Sequence, residues 1–353
     1  MQPLPIRGRG AAENPPNRFV PISVESDDRS PDDPLPRTRF FRDEARSVIA
    51  YNESPDVGFN ASINPYRGCE HGCSYCYSRP NHEYLGLSAG LDFESKIFVK
   101  EDAPELLRRE LSSKRWKPQL VALSGVTDPY QPVERRLLVT RRCLEVLAEA
   151  RNPTAIITKN HLVTRDLDLF AQLREYGAIA VSLSVTSLNR ELQRVMEPRT
   201  STPERRLDAI RKLTEAGIPA GVLVAPVIPG LTDHEMPEIL AAAAEAGAIR
   251  AGFIMLRLPW TVAPLFEAWL ERHFPKRKEK VLNRLRDLSD GKLYESQFGR
   301  RQRGVGPFAE QLQQMFEISC NRFGLARSAP PLSTAHFRRP SLGGQLGLFD
   351  ATA

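Results

Sequence analysis

The run Ser62-Ile-Asn-Pro-Tyr-Arg-Gly-Cys-Glu-His-Gly-Cys-Ser-Tyr-Cys-Tyr77 carries three of the chain's five cysteines, Cys69, Cys73 and Cys76, spaced CxxxCxxC. An apolar-to-glycine stretch precedes them, so a strand is expected to deliver a loop of thiols. Three sulfurs are one too few to close a tetrahedral structural zinc site or to saturate a cubane cluster. A cluster held this way keeps one iron open to another ligand. Zinc is the rival reading of the spacing, with His71 or His82 as fourth ligand; redox-active thiols are a further one.

Outward from that loop the chain alternates short apolar runs with helical patterns. Strands are expected at 62–64, 119–124, 154–158, 179–185, 220–227 and 251–256, with a short extended run at 97–99. Helices are expected at 104–113, 135–150, 166–176, 203–216 and 234–246. Continuous apolar strands separated by helices imply βαβ units and a parallel sheet. Six such strands are too few for a complete eight-fold barrel. The fold class expected is therefore α/β, a partial (β/α)6 TIM-like barrel, with its chemistry on the loops at the strand C-termini. No GxGxxG loop follows a strand, which argues against a doubly wound dinucleotide fold. Past Pro259 the pattern turns helical, at 264–273, 277–288 and 307–323, giving a helical C-terminal extension.

The domain division expected is 1–45 largely disordered or draped over the domain, 46–260 barrel, 261–327 helical and basic, and 328–353 a flexible tail. The first segment is rich in Pro, Arg, Asp and Ser and too poor in aliphatics to offset ordering entropy. Its phrase Arg7-Gly-Arg-Gly-Ala-Ala-Glu-Asn-Pro-Pro-Asn-Arg-Phe19 is odd for a spacer. The formal net charge is +6, and eleven basic residues against five acids between Glu271 and Gly304 account for all of it. Such a patch can track a phosphate backbone or simply face solvent. No membrane span is expected, since no stretch approaches about eighteen apolar residues. Clustered rather than paired cysteines argue for a reducing, cytoplasmic setting.

Strand ends carry polar groups in register: Thr127 and Asp128 after the second strand, Lys159 after the third, Ser182 and Ser184 along the fourth, Ala225-Pro226 in the fifth. With the cysteine motif, Ile157-Thr-Lys159, Ser184 to Ser187, Glu197-Pro198 and Val224-Ala-Pro226, these phrases resemble the radical S-adenosylmethionine superfamily, in particular its spore photoproduct lyase branch, over roughly 63–229. The resemblance implies a 4Fe–4S cluster on Cys69, Cys73 and Cys76, whose fourth iron is chelated by S-adenosylmethionine. It implies Thr127 and Asp128 at the methionine end of that cofactor, Lys159 and Ser184 at its carboxylate, and Ala225 near the adenine. Glu197 would serve as a structural clasp. An external one-electron reductant of flavodoxin or ferredoxin type would drive reductive cleavage, and the radical so formed would take a hydrogen from the substrate.

One departure changes the expected reaction. Where the spore lyase has a hydrogen-donating cysteine, two positions before Thr127, this chain has Gly125. Cys143 and Cys320 fall in expected helices and read as core. Tyr66, Tyr77 and Tyr130 are the remaining hydrogen-transfer candidates. A lyase-like enzyme acting on nucleic acid, in the manner of DNA repair, is the leading expectation. The alternatives are the same chemistry on a protein or small metabolite, and a non-catalytic metal-binding protein tethered by its tail. The ending Gly344-Gln-Leu-Gly-Leu-Phe-Asp350 resembles peptides that bind the bacterial sliding clamp, with Gln345 setting register and Leu346, Leu348 and Phe349 entering apolar pockets.

Overall fold

The computed structural model describes residues 6–20, 37–328 and 331–341. In chain order its strands are β1 (Arg39–Arg42), β2 (Ile49–Tyr51), β3 (Ala61–Ile63), β4 (Tyr66–Arg67), β5 (Lys96–Val99), β6 (Val121–Leu123), β7 (Thr154–Thr158), β8 (Ile179–Ser184), β9 (Ala220–Val227) and β10 (Arg250–Met255). The helices are α1 (Leu91–Ser95), α2 (Ala103–Ser112), α3 (Glu134–Leu137), α4 (Val139–Glu149), α5 (Leu167–Arg174), α6 (Arg190–Met196), α7 (Pro203–Glu215), α8 (Met236–Glu245), α9 (Val262–His273), α10 (Pro275–Asp287) and α11 (Pro307–Phe323).

The main sheet runs β10-β9-β8-β7-β6-β3-β2. Its six strands from β3 to β10 pair in parallel and in sequence order, and β2 adds an antiparallel edge. This is a partial (β/α)6 barrel left open between β10 and β2. Helices cross between consecutive strands because each buries one apolar stripe against the sheet, as α2 does with Leu106, Leu107 and Leu111. The β10 edge is covered by the C-terminal chain: Arg250 bridges Ala326, and the Met255 N–H donates to Gln302 O at 2.9 Å. Covering an edge this way removes a row of unpaired backbone groups from solvent.

The extended run expected at 97–99 is present as β5, which pairs with β1 and β4 in a separate three-stranded sheet. Two local expectations needed correction. The helix expected at 135–150 breaks at Leu138, which has a left-handed φ of 55°, so α3 and α4 meet at an angle. The helix expected from Asp166 begins earlier, as a 3-10 turn over His161–Asp166 that leads into α5.

Two apolar clusters matter for the site. One fills the space between sheet and helices. The other joins the cysteine loop to the C-terminal extension, packing Cys73 and Tyr75 with Leu258, Phe266, Trp269, Val281 and Leu285. Helix α10 buries Val281, Leu282 and Leu285 and turns its basic residues away from them. Part of the extension's charge is internally paired, Lys278 with Glu271, Arg300 with Asp290 and Arg301 with Asp56. Among the described residues no helix is long and apolar enough to cross a membrane.

Candidate active site

Strand β3 ends at Ile63 and the chain turns through β4 into the cysteine loop, at the C-terminal end of the parallel sheet. Gly68 begins the loop with φ +80°, and a Cβ there would stand 2.8 Å from the His82 ring and 2.9 Å from Phe93 O, so only glycine fits. The loop is then tied down from several directions. The Cys69 N–H donates to Phe93 O at 3.0 Å, Ser74 N–H to Met196 O at 3.0 Å, and Glu70 N–H to Gln131 Oε1 at 2.9 Å. Arg79, fully buried, donates to Cys73 O from Nε (3.1 Å) and Nη2 (2.8 Å), and from Nη1 to Ala89 O (3.1 Å) and Gly90 O (3.0 Å). Its guanidinium also pairs with the equally buried Glu94.

Glu94 links the loop to the N-terminus. Its carboxylate accepts from the N–H groups of Gly10 (3.0 Å) and Ala11 (2.8 Å). Residues 6–20 continue as a strap: Leu91 N–H donates to Glu13 O, Asn14 pairs its side chain with Asp92, Asn17 Nδ2 donates to Glu83 O and Leu87 O, and Arg18 pairs with Glu83. At Gly10 the strap's backbone lies against the cysteine loop itself, where a Cβ would collide with Gly72 O between the first two cysteines. Gly10→Val is therefore expected to lift the strap, at a cost of about 1–3 kcal/mol. Limited proteolysis should cut the variant near residue 10 faster than the parent; equal rates would mean that the contact is unimportant.

Cys69 and Cys73 are buried and Cys76 partly so. Burial pushes the Cys76 thiol up to about 11 and Cys73 well above its ordinary range, so loading a metal must displace protons. Among the described residues no three His, Cys, Asp or Glu side chains converge on a single ion. A cubane cluster takes each thiolate on a different iron, so its three ligands need not converge on one point. The histidines a zinc site would recruit are also committed. His82 Nε2 lies 2.9 Å from Lys96 O, with the ring edge-on to Phe93 and Phe98, and burial holds it down to about 4. For His71 burial disfavours the charged ring, but Asp128 and Cys69 outweigh it and raise the group to about 10; Nδ1 is 3.4 Å from Asp128. Its Nε2 faces Asn160 Nδ2 at 3.3 Å, so both ring nitrogens already have partners inside the protein. In the same loop the buried Ser74 hydroxyl has no hydrogen-bond partner among the described residues. The donor set thus fits a three-thiolate cluster better than a single ion.

Beyond the thiols, the strand ends converge. Lys159 Nζ donates to Ser184 Oγ (2.7 Å) and Ala225 O (2.7 Å) and lies 3.2 Å from both Thr186 Oγ1 and Glu197 Oε1. Three residues expected at the cofactor, Lys159, Ser184 and Ala225, so meet around one ammonium group. Glu197 also binds Arg206, Thr186 and the Tyr75 hydroxyl of the cysteine loop. Burial alone would raise its carboxyl, but Arg206 and Lys159 outweigh that and hold it well below the usual carboxylate range. The Ala225-Pro226 bond is cis. Asp128 accepts from Thr158 Oγ1 (2.6 Å) and Lys159 N–H (2.8 Å), joining β7 to His71. Thr127 Oγ1 donates to Tyr66 O at 3.1 Å.

The three tyrosines separate. Tyr66 and Tyr130 have no exposed surface, and their hydroxyls are held by Glu134 and Asp166. Neither is brought to the mouth of the sheet. Tyr77, next to Cys76, is 48% exposed and donates to Gly125 O at 2.6 Å. It therefore stands over the position where the side chain is missing. Cys143 and Cys320 are buried in α4 and α11. Sequence reading missed Arg79, Glu94, Thr186 and Arg206 altogether. Nothing local marks them, because each gains its role from a partner elsewhere in the chain.

With an open parallel barrel and a three-thiol loop at its C-terminal end, the architecture defines a class. A model of the Radical SAM superfamily matches residues 63–243, and the chain belongs to that superfamily. It is 36% identical over 244 residues to an uncharacterized protein of Mycobacterium tuberculosis, covering 68% of this chain and 71% of that one. It is 25% identical over 296 residues to a radical SAM Nalpha-GlyT isomerase of a Pseudomonas phage, covering 82% of this chain and 57% of the phage protein. Among solved structures it resembles spore photoproduct lyase complexed with dinucleoside spore photoproduct, with a TM-score of 0.59 at 18% identity over 82% of this chain and 81% of the lyase.

Proposed function

We propose that this protein is a radical S-adenosylmethionine enzyme that holds a 4Fe–4S cluster through Cys69, Cys73 and Cys76 and acts on nucleic acid. The observation that carries the reading is the meeting of Lys159, Ser184, Ala225 and Glu197 at the strand ends beside a three-thiol loop. When bound, cluster and cofactor would supply the electron transfer and hydrogen abstraction; the protein supplies placement and exclusion of water. Lys159 offers a cation to a carboxylate, and Glu197 keeps that ammonium aimed at Ser184 and Ala225 O. Thr127 and Asp128 set the loop that faces the methionine end. Tyr77 is the hydrogen-transfer residue of choice among the three tyrosines, since it alone is exposed and lies over Gly125.

A substrate of nucleic acid type is favoured by two things: the lyase of similar fold is known with a dinucleoside, and the C-terminal extension carries the chain's excess positive charge. A small flavodoxin- or ferredoxin-type protein is the proposed reductant. The test is anaerobic reconstitution with iron and sulfide, followed by reduction with S-adenosylmethionine and mass spectrometry for 5′-deoxyadenosine and altered bases. An iron-free protein content with one zinc would end the proposal.

The clamp-binding peptide at Gln345, Leu346, Leu348 and Phe349 lies outside the described residues, and it stands as a further part of the proposal. A pull-down on immobilised sliding clamp should retain the full chain and lose the form lacking the last nine residues. Equal retention would remove the clamp from the account.

A further inference from the structure

Beside the cysteine loop, aromatic rings and guanidinium groups alternate along the rim of the sheet's mouth. Arg257 leaves the C-terminal end of β10, the last parallel strand, and its guanidinium lies 5.4 Å from the centre of the Tyr77 ring. Among the described residues it has no ion pair, and its buried Nε has no hydrogen-bond partner. The nearby carboxylate of Asp56 is already taken by Arg301 and the Gly299 N–H. A guanidinium with only the shared charge of Asp56 near it among the described residues can take an anion from outside.

Three residues on, Trp260 is 57% exposed and has φ +46°. A bulky side chain in the left-handed region is strained, and such strain persists only where the surroundings impose it. Here the imposing contacts are visible. Arg18 of the strap stacks 4.6 Å from the indole while paired with Glu83, Thr261 Oγ1 lies 3.3 Å from the same Glu83, and Tyr294 flanks the ring at 6.0 Å. Arg18 also covers Phe19, which stacks on the exposed Tyr84 at 4.9 Å. From Tyr77 outward the rim thus offers, in turn, a ring, a cation, a propped-out indole and a further cation between rings. Successive bases stack on exposed aromatic faces while cations follow the phosphates; that is how single strands are held without sequence readout. A base must also leave the duplex stack before a buried site can reach it.

Resting on the reading that the substrate is nucleic acid, we propose that this rim seats a single-stranded segment, with Trp260 stacking on a base and Arg257 taking a backbone phosphate. Phosphate contact places the next nucleotide over Tyr77 and Gly125, where the strand ends open.

The test uses the full chain, reconstituted anaerobically, and a fluorescein-labelled oligothymidylate twelve nucleotides long. Of the three tryptophans, Trp116 and Trp269 are buried, so binding at the rim should quench the emission of Trp260. Trp260→Ala should weaken binding by about 5- to 150-fold, the loss of one base stack, with its salt dependence intact. Arg257→Gln should weaken binding and reduce the slope of log affinity against log salt by about 0.7, one phosphate contact on a single strand. Oligonucleotide binding with no change in tryptophan emission and no loss in either variant overturns the rim but leaves the nucleic-acid reading standing. A parent protein that cleaves S-adenosylmethionine yet binds no oligonucleotide overturns both, and points to a protein or small-molecule substrate. The quenching measurement needs no variant, so a substitution that fails to fold does not blunt the test.

Discussion

Cys73→Ala should purify anaerobically with iron at background and form no 5′-deoxyadenosine on reduction. The expectation follows from the commitments of the other candidate thiol and imidazole ligands among the described residues. Cys143 and Cys320 are the chain's other thiols, and both are sealed in helices away from the loop. His71 is held between Asp128 and Asn160, and His82 lies against Lys96 O beside two phenylalanines. Cys73 is also the cysteine whose carbonyl Arg79 grips twice, so its backbone position survives loss of the sulfur. The loss should therefore be of ligation and not of fold. Iron analysis, visible absorption and thermal melting together check this: the variant should be colourless yet melt close to the apo parent. Full activity in Cys73→Ala would dismiss the cluster and with it the proposed chemistry.

Arg79→Met should be strongly destabilising although it replaces no cysteine. Both Arg79 and Glu94 have fully buried side chains. Removing the cation leaves an interior carboxylate with the Gly10 and Ala11 N–H groups as donors and only the more distant charge of Arg9, and breaking one partner of a buried pair costs about 3–5 kcal/mol. Four carbonyl contacts, at Cys73, Ala89 and Gly90, go with it. Arg79→Lys should recover little, because an ammonium cannot reproduce the planar fork that reaches all of them. Adding Glu94→Gln to Arg79→Met should return part of the loss by removing the stranded charge, a coupling that a double-mutant cycle measures in urea melts of the apo protein. Additive effects, or an Arg79→Met variant within about 1 kcal/mol of the parent, would show that the pair does not hold the loop.

These two expectations differ in how visible their basis was beforehand. The thiol loop, the six parallel strands and the polar strand ends can all be read along the chain, because spacing and apolar periodicity are local. The same residues suggested Lys159 and Ser184 at the cofactor's carboxylate and Ala225 near its adenine; in the fold the Lys159 ammonium meets Ser184 Oγ and Ala225 O. The tyrosines show the limit. Tyr66, Tyr77 and Tyr130 are equivalent as letters near the loop, but two of them spend their hydroxyls on Glu134 and Asp166 in the interior. Composition suggested that residues 1–45 would be largely without structure. Within that span, residues 6–20 are held by backbone groups and by Asn14, Asn17 and Arg18, contacts that need no aliphatic content.

By itself the sequence determined the six parallel strands and the donor set: where the loop of thiols falls, and that it holds three sulfurs and not four. Only the tertiary structure decided which groups are already spoken for. Arg79 meets Glu94, Glu197 meets Lys159 and Arg206, Arg18 props Trp260, and Arg257 lies over the Tyr77 ring. Such pairings join residues far apart in the chain, and a charge or hydroxyl declares itself free or satisfied only once burial has chosen its neighbours.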